Sequence, residues 1–154
     1  MLFLGEFEHA LDAKQRLAIP SELRACLPHE GDDAVFVAAP GPNGFLWLWP
    51  EGTFADLAKA LGGSLVGDDS LQSFERLVFS QSARAPLDKA GRLRIPDRLL
   101  ARYRLAGNVV ILGVRDHLEL CTPEQWRGER DRLEPAATEV WRKAREALRN
   151  RSAG

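Results

Sequence analysis

A chain of 154 residues with 45% apolar side chains has enough material for an ordinary folded core and too much for disorder. No apolar run approaches the roughly 20 residues of a membrane-crossing helix, and a net charge of −1 by itself argues against a polyanionic partner. The charge is unevenly spread, however: residues 1–75 carry 4 Lys/Arg against 12 Asp/Glu, and residues 76–154 carry 17 against 10. That asymmetry points to a polyanion bound by one half, to association of opposite faces of two copies, or to basic C-terminal helices that are simply solvated. The start of the chain turns acidic at Glu6 and is a poor secretory signal, so the cytoplasm is the expected location.

In chain order, Met1–Leu11 reads as a strand, with Leu4, Phe7 and Leu11 among Glu6, Glu8 and His9. Asp12 to Gln15 is a predicted turn, because an aspartate carboxylate accepts a hydrogen bond from a backbone amide two residues on. Arg16 to Ile19 returns as a strand, with Leu17 and Ile19 on one face, giving a hairpin with an arginine at its mouth. Proline 20 then opens a short helix ending near Leu27 and Pro28, since its missing N–H has no intrahelical partner there. A loop over His29–Asp33, strands at Ala34–Ala38 and Phe45–Trp49, and a helix from Phe54 to about Leu61 complete the unit. Asp68 and its neighbours cap a connecting helix from about Leu71 to Phe79.

The cycle then recurs. Asp88–Pro96 matches Asp12–Pro20 at five of nine positions, at a constant offset of 76 residues. Ser82–Leu87 answers the first strand weakly, and Pro96–Tyr103 answers the short helix. Strands follow at Asn108–Gly113 and at Leu118–Leu120, the latter answering Leu46–Leu48, and Trp126 answers Phe54. Beyond that lie a helix over Glu124–Leu133, a break at Pro135, and an amphipathic helix over Ala136–Arg149. The predicted organisation is a first repeat at 1–61, a helical connector at 62–81, a second repeat at 82–133, and a C-terminal helix with a frayed tail at 134–154. The fold class is α+β, with two pseudo-symmetric hairpin-and-helix repeats sharing a small β-barrel.

Arg16 and Arg92 start strands beside tight turns, where guanidinium groups suit phosphate oxygens or the O6 and N7 atoms of guanine. Lys89, Arg94, Arg98, Arg102 and Arg104 surround the second copy, and Lys14 sits in the first turn. Asp12 and Asp88 equally allow a second reading, in which each braces its turn by pairing with the arginine four residues on. Gly91 takes a positive φ without steric cost, whereas Gln15 at the equivalent position does not. The aromatic residues Phe45, Trp47 and Trp49 fit a core or subunit interface better than base stacking. Cys26 and Cys121 lie outside any metal or redox spacing and read as reduced thiols, and no His/Cys cluster suggests a metal. No common catalytic motif is present, so neither an enzyme nor a cofactor is expected.

The stretch Gly5-Glu6-Phe7-Glu8-His9-Ala10-Leu11-Asp12-Ala13-Lys14, the following Arg16-Leu17-x-Ile19-Pro20, and Asp88-x-x-Gly91-Arg92-Leu93-x-Ile95-Pro96 resemble the MraZ family. Leu112-Gly113-Val114-x-Asp116-His117-Leu118-Glu119 with Trp126 adds to that resemblance, which covers residues 1 to about 130. It implies tandem units related to AbrB/SpoVT swapped-hairpin domains, and a nucleoid-associated transcriptional regulator of a division and cell-wall gene cluster. It further implies a homo-oligomeric ring of about eight or more subunits on direct repeats of double-stranded promoter DNA, with no membrane or small-molecule substrate. By the same resemblance Asp12 with Arg16 and Asp88 with Arg92 are the motif pairs. Lys14, Lys89, Arg92, Arg94 and Arg16 are the candidate DNA contacts, and Asp12, Asp88 and Gly91 the turn-shaping residues. Two features depart from the family pattern: Gln15 stands where a glycine is usual, and the first repeat is acidic. The other reading is an assembly protein without DNA binding, whose arginines only brace the turns.

Overall fold

The computed structural model describes residues 1–28, 34–65 and 67–154, so the expected loop over His29–Asp33 lies outside the described residues. The chain divides into two compact units, Met1–Thr122 and Pro123–Gly154. The first unit contains the strands β1 (Phe3–Ala10), β2 (Arg16–Ala18), β3 (Val35–Pro40), β4 (Leu46–Pro50), β5 (Ala83–Pro86), β6 (Arg92–Arg94), β7 (Asn108–Arg115) and β8 (His117–Cys121). Its helices are α1 (Ser21–Arg24), α2 (Glu51–Lys59), α3 (Asp69–Gln81) and α4 (Asp97–Arg102). The second unit consists of α5 (Pro123–Leu133) and α6 (Ala137–Ser152).

Among the described residues two sheets form, one six-stranded in the order β1-β7-β8-β4-β3-β5 and one a two-stranded β2-β6 ribbon. The expected hairpin is corrected here. Asp12 N–H donates to the Arg16 carbonyl at 3.0 Å, closing the turn, but the two strands then part. β1 pairs with β7, antiparallel from Phe3↔Arg115 to Ala10↔Asn108, while β2 pairs with β6. The second repeat does the same, its first strand β5 pairing with β3 of the first repeat. Each repeat therefore lends its opening strand to the other. The physical reason is satisfaction of backbone groups, since an isolated two-stranded hairpin leaves both edges unpaired and has little core of its own.

Where the repeats meet, equivalent residues face one another. Leu17 opposes Leu93 in the ribbon, and Trp47 opposes Glu119 where β4 meets β8. Two antiparallel pairings of repeat-equivalent residues are the mark of an approximate two-fold relation between the halves. The core follows the same symmetry. Leu17, Ile19 and Leu23 of the first repeat and Leu93, Ile95 and Leu99 of the second are all buried, in one cluster with Phe3, Phe36, Leu46, Leu48, Ile111, Leu118 and Leu120. Alternation places Leu17 and Leu93 inward, so Arg16, Arg92 and Arg94 stand on the outer face of the ribbon.

Helix boundaries shift from expectation for identifiable reasons. α2 begins at Glu51 rather than Phe54, because Pro50 itself serves as the residue before the first turn. α1 stops at Arg24, with a continuing turn in which Cys26 and Leu27 donate to the Leu23 and Arg24 carbonyls. Asp68 caps α3 as expected, its carboxylate accepting from Leu71 N–H at 3.1 Å. α2, α3 and the β3–β4 hairpin enclose an apolar cleft of about 320 Å³ walled by Trp47, Trp49, Phe54, Leu57, Phe74 and Val78. In α6, Arg142 bridges Glu139 and Glu146, one turn away on either side. Two apolar residues of that helix, Val140 and Leu148, are exposed.

Candidate nucleic-acid interface

The two aspartate turns are built alike, atom for atom. Asp12 Oδ1 accepts the backbone N–H groups of Lys14 and Arg16, each at 2.9 Å, and Asp88 Oδ1 accepts those of Ala90 and Arg92 at 2.9 Å. The other carboxylate oxygen takes the arginine Nε, at 2.8 Å for Asp12–Arg16 and 3.0 Å for Asp88–Arg92. Backbone bonds from Gln15 and Gly91 N–H to the aspartate carbonyls tighten each loop.

The ribbon brings these two turns together, which the sequence spacing did not reveal. Arg16 Nη1 reaches Asp88 Oδ2 at 3.9 Å, and Arg92 Nη1 reaches Asp12 Oδ2 at 3.7 Å. Two arginines and two aspartates thus form one cross-braced quartet of zero net charge, partly exposed throughout. The backbone N–H of Arg16 on Asp12, opposed by partial burial and aided by the Arg16 side chain, holds the Asp12 carboxyl below its ordinary range. Asp88 is held down in the same way by Arg92.

Further cations stand beyond the quartet. Lys14, Lys89 and Arg94 are exposed on the turns and ribbon, and Arg94 Nη1 donates to the Lys14 carbonyl at 3.2 Å. Arg102, expected in the same cluster, instead binds the Gln81 side chain at 2.9 Å. Planar guanidinium groups on a two-stranded ribbon present bidentate donors to phosphate or to a base edge.

The turns differ at the position where the motif departs from itself. Gln15 carries φ +60° and is exposed, whereas Gly91 has φ +76° and is buried. The cover over Gly91 is Arg24, whose Cζ and Nε lie 2.6 Å from where a β-carbon would stand. Arg24 comes from the first repeat, and nothing in the motif spacing pointed to it. Its repeat counterpart, 76 residues on, is Leu100, which is buried in the core.

The aromatic residues Phe45, Trp47 and Trp49 pack on the protein itself, Phe45 buried and the two tryptophans half-buried. Trp47 stacks on His117 with ring centroids 3.9 Å apart at 17°, with Trp49 against the same ring at 4.7 Å. His117 lies between two carboxylates, 2.9 Å from Asp116 and 2.8 Å from Glu119, and Asn43 donates to Glu119 at 2.9 Å. Sequence reading missed this buried group, since its members lie on β8 and on the β3–β4 turn and meet only through sheet pairing. Cys26 and Cys121 are both free thiols, and burial pushes Cys121 up to about 12.

Fold and turns together define a class: a single chain of two interleaved α+β repeats joined at a charged ribbon. A family model described as "MraZ protein, putative antitoxin-like" matches residues 2–65 and 78–145. Relatives bearing the name transcriptional regulator MraZ include one from Roseiflexus castenholzii, 35% identical over 126 residues, covering 82% of this chain and 85% of the relative. Another from Lactiplantibacillus plantarum is 36% identical over 126 residues, 82% of this chain and 86% of the relative. A third, from Thermomicrobium roseum, is 31% identical over 83% of this chain and 87% of its own length. The chain belongs to the MraZ family.

Proposed function

We propose that this chain is a sequence-specific DNA-binding transcriptional regulator, as the names of its relatives indicate, rather than an enzyme. The observation carrying this reading is the outer face of the β2–β6 ribbon. There Arg16, Arg92 and Arg94 stand between two aspartate-shaped turns that display Lys14 and Lys89. In this reading Asp12 and Asp88 shape the turns, and those five basic residues contact duplex promoter DNA. The protein works in the cytoplasm at the nucleoid. Direct repeats upstream of a division and cell-wall gene cluster are the operator, bound by a ring of about eight or more subunits that sets several ribbons on successive repeats. Residues 1–61 and 82–133 act as the two repeats, joined by 62–81 and followed by the helical tail 134–154, and the sheet with its ribbon closes into a small barrel.

A second reading has support of its own, because both motif arginines are engaged by carboxylates and so already serve as braces. Gel-shift titration of the DNA upstream of its own gene, at two salt concentrations, separates the two. The regulator should shift that DNA, more weakly at high salt, and Arg92→Ala should weaken binding and salt dependence more than Arg16→Ala. A protein that keeps its assembly yet shifts no DNA at either salt concentration would be the brace-only assembly protein. Loss of binding in Arg16→Ala with Arg92→Ala unaffected would reverse the weighting of the two motifs.

A further inference from the structure

We propose that Arg24, seated on Gly91, is a phosphate contact of the second turn and makes the two turns unequal in binding. The inference rests on the DNA-binding reading above. Three observations carry it. First, the quartet is electrically closed: each motif arginine lies within 4 Å of both aspartates, so the pair brings no net charge to a polyanion. Attraction to phosphate must come from cations beside it.

Second, Arg24 is such a cation and its geometry is fixed. Its Nε donates to the Ile19 carbonyl at 3.0 Å, while Ile19 N–H donates to the Gly91 carbonyl at 2.9 Å. The side chain crosses the one residue of the turn that lacks a side chain, with Cζ, Nε and Cδ at 2.6, 2.6 and 2.9 Å from the absent β-carbon. Arg24 is nonetheless an exposed residue, and among the described residues it forms no ion pair with a carboxylate. A guanidinium held by Nε still has its terminal nitrogens as donors suited to phosphate oxygens.

Third, the arrangement exists once. Where Arg24 covers Gly91, the first turn has exposed Gln15, and the counterpart of Arg24 is the core residue Leu100. The first turn instead receives Arg94 of the second repeat on the Lys14 carbonyl, so each turn has a cation from the other repeat, but among the described residues only the second has one seated on a glycine. Gly91 thus has two duties: it takes the positive φ of the turn, and it leaves the seat that Arg24 occupies.

The test uses full-length protein and a duplex of the DNA upstream of its own gene, followed by fluorescence anisotropy from 50 to 250 mM salt. Arg24→Gln, which keeps a long side chain but loses the charge, should weaken binding about eightfold at 0.1 M salt and lower the salt slope by about 0.9. Arg24→Lys should recover most of the slope, and Gln15→Ala should leave it at the wild-type value. An unchanged slope in Arg24→Gln, with wild type binding normally, overturns the proposal and leaves DNA binding intact. Failure of the wild type to bind this duplex overturns the parent reading instead. Should Arg24→Gln unfold, Arg24→Met, which also removes the charge, carries the test: an unchanged slope overturns the proposal, and a drop of about 0.9 supports it.

Discussion

Asp12 and Asp88 each accept two backbone N–H groups and one guanidinium, so their carboxylates titrate below the ordinary value of 3.8 in the folded protein. A depressed folded value means that the stabilisation is present above about pH 4 and lost as pH falls through the folded value. Asp12→Asn with Asp88→Asn should therefore lower the urea midpoint at pH 7, with the gap to wild type closing as pH falls below about 4. A gap that does not change with pH would refute the ionic account. At Gln15 the strain has the opposite sense. An L-residue at φ +60° costs roughly 1–2 kcal/mol, and glycine gives back roughly 0.5–1 of it in unfolded-chain entropy. Gln15→Gly should thus stabilise the fold by about 0.5 kcal/mol in urea unfolding, while Gly91→Ala should destabilise it. The same backbone shape is tolerant at one turn and demanding at the other because of what covers it.

Among the elements, β4 and β8 meet at a buried polar group. Glu119 and His117 are 7% and 6% exposed, and Glu119 serves both His117 Nε2 and the Asn43 amide. Removing that carboxylate leaves the buried His117 Nε2 without its partner, while the exposed Asn43 amide can turn to water, and stranding one buried polar group costs about 1–3 kcal/mol. Glu119→Ala should show that loss in urea unfolding, and Glu119→Gln, which keeps an acceptor oxygen, should lose clearly less. Equal losses would mean that the site is held by packing alone. This is also the element where reading residues in order failed. Trp47 and Glu119 are 72 residues apart and meet through sheet pairing, so neither the alternation of β4 nor the DHLEL run of β8 announces a polar cluster.

For the whole molecule, the uneven charge bears on assembly. Residues 1–75 are strongly acidic and residues 76–154 basic, so a head-to-tail ring would join unlike surfaces screened by salt. Light scattering should then show the assembly growing smaller between 0.1 and 1 M salt. A particle size indifferent to salt would point to contacts dominated by apolar surface, for which the cleft beside α2 and α3 offers the material.

The 76-residue repeat, the aspartate turns, the helix openings at Pro20 and Pro96 and the alternation of Leu17 and Leu93 were all legible in the chain. The repeat shows when the two stretches are compared directly, and the others depend on residues within one or two turns of each other, where backbone geometry and side-chain reach leave few choices. What could not be read locally was which strand pairs with which. An Asp–Arg spacing of four residues is compatible with a closed hairpin and with the swap actually adopted, and only burial of both repeats' leucines in one core selects the latter. That selection brings the two motif pairs into one neutral quartet and carries Arg24 across to Gly91. Sequence names the charged residues of the ribbon; tertiary structure decides which of them are already neutralised, because neutralisation depends on distances across the repeat boundary.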